Sequence, residues 1–240
     1  IGLLVPREAT HTILSDASYA GIGGWSPDFK IQWRITRDDL VLLGFNMKHI
    51  HKYKQEPLDA KTDGLHINPL EFLAAIINLW PVLKIVKQLP PLLTGYIIDL
   101  LSDNTSALSW MHLTAQTRDP RLQPLARFTS TLLVMASRHL TRVQPNHIPG
   151  DDNFEADTLS RSENGQVPSW ERVISRCSQL RPCRICLLPR ELLSSLAGLI
   201  SSGLTEGTYE LLTTRLLTLE FATLPAGSLP LDLTSSLPKA

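Results

Sequence analysis

Excess positive charge is missing from this sequence. Lysine plus arginine and aspartate plus glutamate each number 23, so no global field draws the 240-residue chain towards a polyanion. A nucleic acid partner would have to be held by local basic patches or by bound metal. Cysteine is scarce too: Cys177, Cys183 and Cys186 are too few and too clustered for a secreted disulfide framework. Their spacing invites zinc, but with no fourth cysteine and no histidine at ligand spacing, reduced structural thiols are the better reading. No signal peptide opens the chain, and no uninterrupted apolar run is expected to span a bilayer. An intracellular protein with no membrane partner is expected. An initiating methionine is lacking as well, so Ile1–Pro6 is expected to lie in the middle of something longer.

What is present is a globular composition, 43% apolar and 19% charged. Residues 11–18 predict a strand, followed by the glycine-punctuated Gly21–Trp25 and a turn at Ser26-Pro27-Asp28. Phe29, Ile31, Trp33 and Ile35 alternate with Lys30, Gln32, Arg34 and Thr36, which predicts a strand with one buried face. Residues 37–66 are irregular, with a short helical stretch near Leu40–Leu43 and a basic run from Lys48 to Lys54.

Asn68 and Pro69 then suit the N-cap and first position of a helix running through Trp80, where Pro81 ends or kinks it. Residues 95–102 predict an apolar strand. Helices to about Thr114 and over 121–137 follow, then a strand at 139–148 and a short helix near 153–160. The order β-β-β-α-β-α-α-β-α implies an antiparallel meander joined by parallel, helix-linked strands. Residues 1–161 are expected to form this α/β domain, 162–222 a helical linker region with little to anchor a core, and 223–240 a disordered tail.

Four acids stand out, each with an ordinary alternative. Asp16 lies in an apolar strand and needs a partner or a cation, unless it caps the following turn. Glu71 is the lone acid of an apolar helix, yet Asn68-x-x-Glu71 has capping-box spacing. Asp103 follows the apolar strand, where an N-cap is also wanted. Asp157 sits one turn after Asn153, among Asp151, Asp152 and Glu155, and alone is an ordinary solvated acid. Together they occupy four elements whose order can bring them to one crevice at the carboxyl ends of parallel strands. Divalent cations are the usual remedy for carboxylates gathered so closely.

Four segments carry a resemblance: Ser15-Asp16-Ala17-Ser18 with Gly23-Gly24-Trp25; Ile67-Asn68-Pro69-Leu70-Glu71; Ser102-Asp103-Asn104-Thr105-Ser106-Ala107; and the run from His147 through Arg161. The chain resembles, over about residues 11–161, the ribonuclease H domain of retroelement reverse-transcriptase polyproteins of LTR and DIRS-like type. The last run, with its Asn-x-x-Ala-Asp-x-Leu-Ser-Arg ending, is the most specific piece.

That resemblance implies a mixed five-stranded sheet flanked by helices and a site of Asp16, Glu71, Asp103 and Asp157. Two Mg²⁺ ions would be bound, with Mn²⁺ able to substitute, to hydrolyse the RNA strand of an RNA–DNA hybrid. By the same resemblance Asp16 bridges both ions, Glu71 and Asp103 help hold the one near the leaving group, and Asp157 the one that activates water. It further implies a polymerase domain of the parent polyprotein as partner. The loop Pro149–Asn153 lacks the histidine many relatives carry, and His147 is not given that role. Trp25, Trp33 and Trp80 are expected in the core, Trp110 and His112 there or near substrate, and Arg118, Arg121 and Arg127 on a phosphate path or merely solvated. The rival reading is a catalytically silent connector of the same fold that only binds nucleic acid or partner domains. An exonuclease of related fold would want Asp-x-Glu on the first strand, and Asp16-Ala17-Ser18 does not supply it.

Overall fold

The computed structural model describes residues 8–42, 45, 67–90, 92, 95–112, 122–163, 166–200 and 204–225. The basic run Lys48–Lys54 and Arg118 and Arg121 fall outside them. The chain is α/β, with a mixed sheet and helices packed on both faces.

The three opening strands, β1 (His11–Ser18), β2 (Gly21–Ser26) and β3 (Ile31–Thr36), form the expected antiparallel meander. A short helix α1 (Arg37–Leu42) leads away, and the long helix α2 (Ile67–Gln88) returns. Strand β4 (Tyr96–Ser102) then lies parallel to β1, and β5 (Thr141–His147) parallel to β4. Helices α3 (Thr105–His112) and α4 (Gln123–Arg138) link those two strands, and α5 (Phe154–Ser160) follows β5.

Helix α2 does not stop at Pro81. The lost amide and ring clash cost about 3 kcal/mol, but continuation buries Val82 completely and Val86 nearly so. Each such burial stabilises by about 1.5–3 kcal/mol. The result is a helix apolar and long enough to cross a membrane by length and composition, contrary to the sequence expectation, yet 83% of that window is buried within the fold. Asn78 explains one polar break in it: its Nδ2 donates to the Leu14 carbonyl (2.8 Å), and its Oδ1 accepts from Trp33 Nε1 (2.9 Å).

The sheet has seven strands rather than five, in the order β5-β4-β1-β2-β3-β6-β7. Strand β6 comes from the segment expected to be a helical linker, and β7 runs from its last residue into the start of the expected disordered tail. After α6 (Trp170–Arg176), β6 (Arg184–Leu187) pairs parallel with β3, and β7 (Ala222–Leu224) pairs antiparallel with β6. Between them, α7 (Arg190–Ile200) and α8 (Glu206–Thr218) cover the α2 side of the sheet. Leu192, Leu193, Leu196 and Leu199 join the main core with α2, while Trp170, Val173 and Leu180 form a second core with α5 on the other face.

The same segment explains why β3 has both faces buried where its alternation predicted one. Gln32 Nε2 donates to the carbonyls of Leu180 (2.9 Å) and Cys183 (3.0 Å). Arg34 stacks on the ring of Trp170 at 4.4 Å from its centroid. The polar face of β3 is therefore a docking face for the chain's own later residues. Residues 226–240 lie outside the described residues.

Candidate metal centre

Register places the first two acids. Leu14 of β1 pairs with Leu101 of the parallel β4, and Asp16 and Asp103 each follow two residues later. Both therefore leave the carboxyl ends of neighbouring strands, where open sheets bind ligands. The ordinary role for each is filled by a neighbour. Ser18 Oγ, not Asp16, accepts from the turn amide of Ala20 (3.0 Å). Asn104 Oδ1, not Asp103, caps α3 by accepting from the Ala107 amide (3.0 Å). Asp103 makes no hydrogen bond among the described residues.

Glu71 comes from the first turn of α2, which packs across β1. The capping-box partner is otherwise engaged, since Asn68 Oδ1 accepts from Asn104 Nδ2 (3.0 Å) and so joins the starts of α2 and α3. One Glu71 oxygen accepts a hydrogen bond from the Ala17 backbone. The other, Oε2, is buried without a partner, in a residue only 4% exposed. A buried carboxylate oxygen without a donor costs free energy unless a proton or a cation satisfies it.

Asp16, Glu71 and Asp103 each bring one oxygen to within 4.8 Å of the other two, and the trio can hold a metal ion. Their electrostatics show the strain of the gathering. Burial, then the Asp16 and Asp103 charges, push Glu71 up to about 9. Burial pushes Asp16 up to about 7, opposed chiefly by the Ser160 hydrogen bond and reinforced by Asp103 and Asp157. A donor set made wholly of carboxylate oxygens suits a hard divalent cation such as Mg²⁺, Mn²⁺ or Ca²⁺.

Helix α5 carries the fourth acid and is moored to β1 at both ends. Asn153 Nδ2 donates to the Ser15 carbonyl (3.1 Å), and Ser18 Oγ donates to the Ser160 carbonyl (2.7 Å). Ser160 Oγ donates to Asp16 Oδ2. Close approach is possible because β2 has glycine beneath the helix: a Cβ on Gly23 would lie 2.5 Å from Leu159 Cβ and 2.9 Å from its carbonyl carbon. Asp157 itself stands beside the trio rather than in it. Its charge reaches Asp16 and Glu71, but its Oδ1 accepts from Arg161 Nε at 2.5 Å.

Of the four acids expected, three converge and the fourth borders them with a guanidinium attached. Ser160, Asn153 and Gly23 are site-building residues that sequence reasoning placed in motifs without a role.

The other candidates resolve into structure. Trp25, Trp33 and Trp80 are buried, and Trp110 packs edge-on against Phe72 at 5.7 Å. His112 Nε2 lies 2.9 Å from the Pro145 carbonyl. Arg127 pairs with Glu206 of α8 and covers the Tyr209 ring at 4.0 Å. The three cysteine thiols are buried, and burial raises all three, Cys183 to about 11. Comparison with protein-family models, curated proteins and solved structures gives no match for this chain.

Proposed function

We propose that this chain is a metal-dependent nuclease domain of ribonuclease H type, hydrolysing the RNA strand of RNA–DNA hybrids within an intracellular retroelement reverse transcriptase. The observation that carries the reading is the convergence of Asp16 and Asp103, at the ends of two adjacent parallel strands, with Glu71, whose buried Oε2 has no partner. Five strands in the order β5-β4-β1-β2-β3, with a meander first and helix-linked parallel strands after, support the family resemblance. So do the recurring residues of the Asn153–Arg161 run. Asn153 moors the helix, Ala156 and Leu159 pack on the sheet, Ser160 holds Asp16, and Arg161 holds Asp157.

Asp16, Glu71 and Asp103 would hold one Mg²⁺, and Asp16 with Asp157 a second, Mn²⁺ serving equally. When bound, such ions lower the pKa of an attacking water and neutralise charge on the departing 3′-oxygen. The chain's own contribution is to fix the carboxylates. Ser160 orients Asp16 by a charge-assisted hydrogen bond, and the Ala17 amide orients Glu71. The balanced charge of the chain counts against a global electrostatic hold on a hybrid, so binding would have to come from local basic patches or bound metal.

The test is a labelled RNA–DNA hybrid incubated with the chain and Mg²⁺ or Mn²⁺, beside Asp16→Asn and Asp103→Asn. Metal-dependent cleavage of the RNA strand, lost in both variants, supports the reading. Hybrid binding that survives both substitutions without any cleavage by the parent chain supports a silent connector instead.

A further inference from the structure

Arg161 is the residue the metal site does not account for. It sits immediately after α5, four residues beyond Asp157, and its Nε donates to Asp157 Oδ1. Its side chain is 65% exposed against 28% for Asp157. Its two terminal amino groups make no hydrogen bond among the described residues. Two grooves meet at it: one lined also by Ser18, Tyr19 and Arg37, the other by Asp157, Thr158 and Arg176. Arg176 is held by Glu163, whereas Arg37 has no ion pair among the described residues. The guanidinium therefore stands at the junction of two surface channels, one contact away from the fourth acid.

Accepting the nuclease reading above, we infer that Arg161 holds the place of a cation on Asp157 in the free protein and passes to a phosphodiester of the bound strand. Asp157 then becomes available to a second divalent ion only when the polyanion is present. Three physical arguments carry this. An exposed ion pair is weak, so it exchanges readily. A phosphodiester offers a guanidinium two oxygens in fork geometry, a better partner than one carboxylate oxygen met by Nε alone. A positive charge in contact with Asp157 also repels an incoming dication, and its charge reaches Asp16 as well. Arg161 is on this account a positioning residue that couples strand binding to completion of the site.

The experiment is Mn²⁺ titration calorimetry on the full chain without nucleic acid, comparing the parent with Arg161→Ala, Arg161→Lys and Asp16→Asn. The exposed position of Arg161 leaves the fold intact, which thermal unfolding of each variant checks. The parent should bind one Mn²⁺, lost in Asp16→Asn. Arg161→Ala should gain a second Mn²⁺ at least about tenfold tighter than any second site of the parent, equivalent to about 1.4 kcal/mol. Arg161→Lys, which keeps the charge, should behave like the parent. In parallel, hybrid affinity measured in Ca²⁺ across salt concentrations should lose about one unit of log–log slope in Arg161→Ala. One Mn²⁺ in both parent and Arg161→Ala, with equal affinities, overturns the inference and leaves the nuclease reading standing. No Mn²⁺ bound by the parent overturns both.

Discussion

The hydroxyl of Ser160 on α5 donates to the carboxylate of Asp16 on β1, joining two residues 144 positions apart in the chain. This contact makes α5 part of the acid cluster as well as a cover for the sheet. It is also the principal interaction favouring the charged form of Asp16 against burial. Replacing Ser160 by alanine should push the Asp16 carboxyl further up and weaken Mn²⁺ binding by about tenfold or more, the scale of a lost hydrogen bond to a charged group. Mn²⁺ titration at neutral pH checks this, and the fold should persist because the mooring bond from Ser18 uses the Ser160 carbonyl.

Without divalent metal, stability should fall as pH rises. Asp16 and Glu71 are raised from 3.8 to about 7 and from 4.5 to about 9. The folded state therefore binds more protons than the unfolded state across that window. Their contribution is most favourable below about pH 4 and is lost as pH passes through 7 and then 9. Each group costs up to about 1.4 kcal/mol per pH unit while it titrates in the window. Thermal unfolding in EDTA should show a declining midpoint from pH 5 to pH 9, and Mg²⁺ should raise that midpoint far more at pH 8 than at pH 5. A midpoint independent of pH would count against the burial of the pair.

Glu71→Gln should make the metal-free chain more stable at pH 8, because a neutral amide does not have to take up a proton on folding, as a carboxyl raised to about 9 does. The same change should abolish the Mg²⁺-dependent rise in unfolding midpoint. Urea unfolding with and without Mg²⁺ reads both effects.

Gly23→Ala should destabilise by about 1–3 kcal/mol, the usual cost of overpacking. The new methyl meets the Leu159 carbonyl carbon and the Ser160 amide as well as a side chain, so α5 itself must move. Urea unfolding measures the loss, and weakened Mn²⁺ binding should accompany it because Ser160 moves with the helix.

Much of this architecture was legible. The meander, the parallel pairing of β1 and β4, and the short helix α5 follow from alternation, apolar runs and turn residues. Asp16, Glu71 and Asp103 were legible only together, as acids on separate elements whose order can bring them to one crevice; singly each had an ordinary explanation. Three features were not. Pro81 read as the end of the helix or a kink in it, because local propensity carries no information about how much apolar surface lies beyond it to be buried. Strand β6 is only four residues, Arg184–Leu187, too short for periodicity to show. The buried polar face of β3 depends on Leu180, Cys183 and Trp170, about 150 residues away. No local pattern predicts that cover. Asp157 was expected within the cluster; it borders the trio instead, tied to Arg161, and no local pattern shows that tie.

That later segment is structural rather than appended. A chain ending at Arg161 loses β6, β7 and the four core leucines of α7, and uncovers Gln32 and Arg34. It should show no cooperative urea transition. Within the full chain, Leu196→Ala should cost about 2–5 kcal/mol.

The most direct test of the central claim is anomalous diffraction from crystals of the full chain grown or soaked with Mn²⁺. The account predicts a peak at about 2.2 Å from oxygens of Asp16, Glu71 and Asp103, with Glu71 Oε2 among the ligands, and no peak there in Glu71→Gln. A clear map with no density between the three carboxylates, or a Glu71 Oε2 satisfied by another protein group, would contradict it.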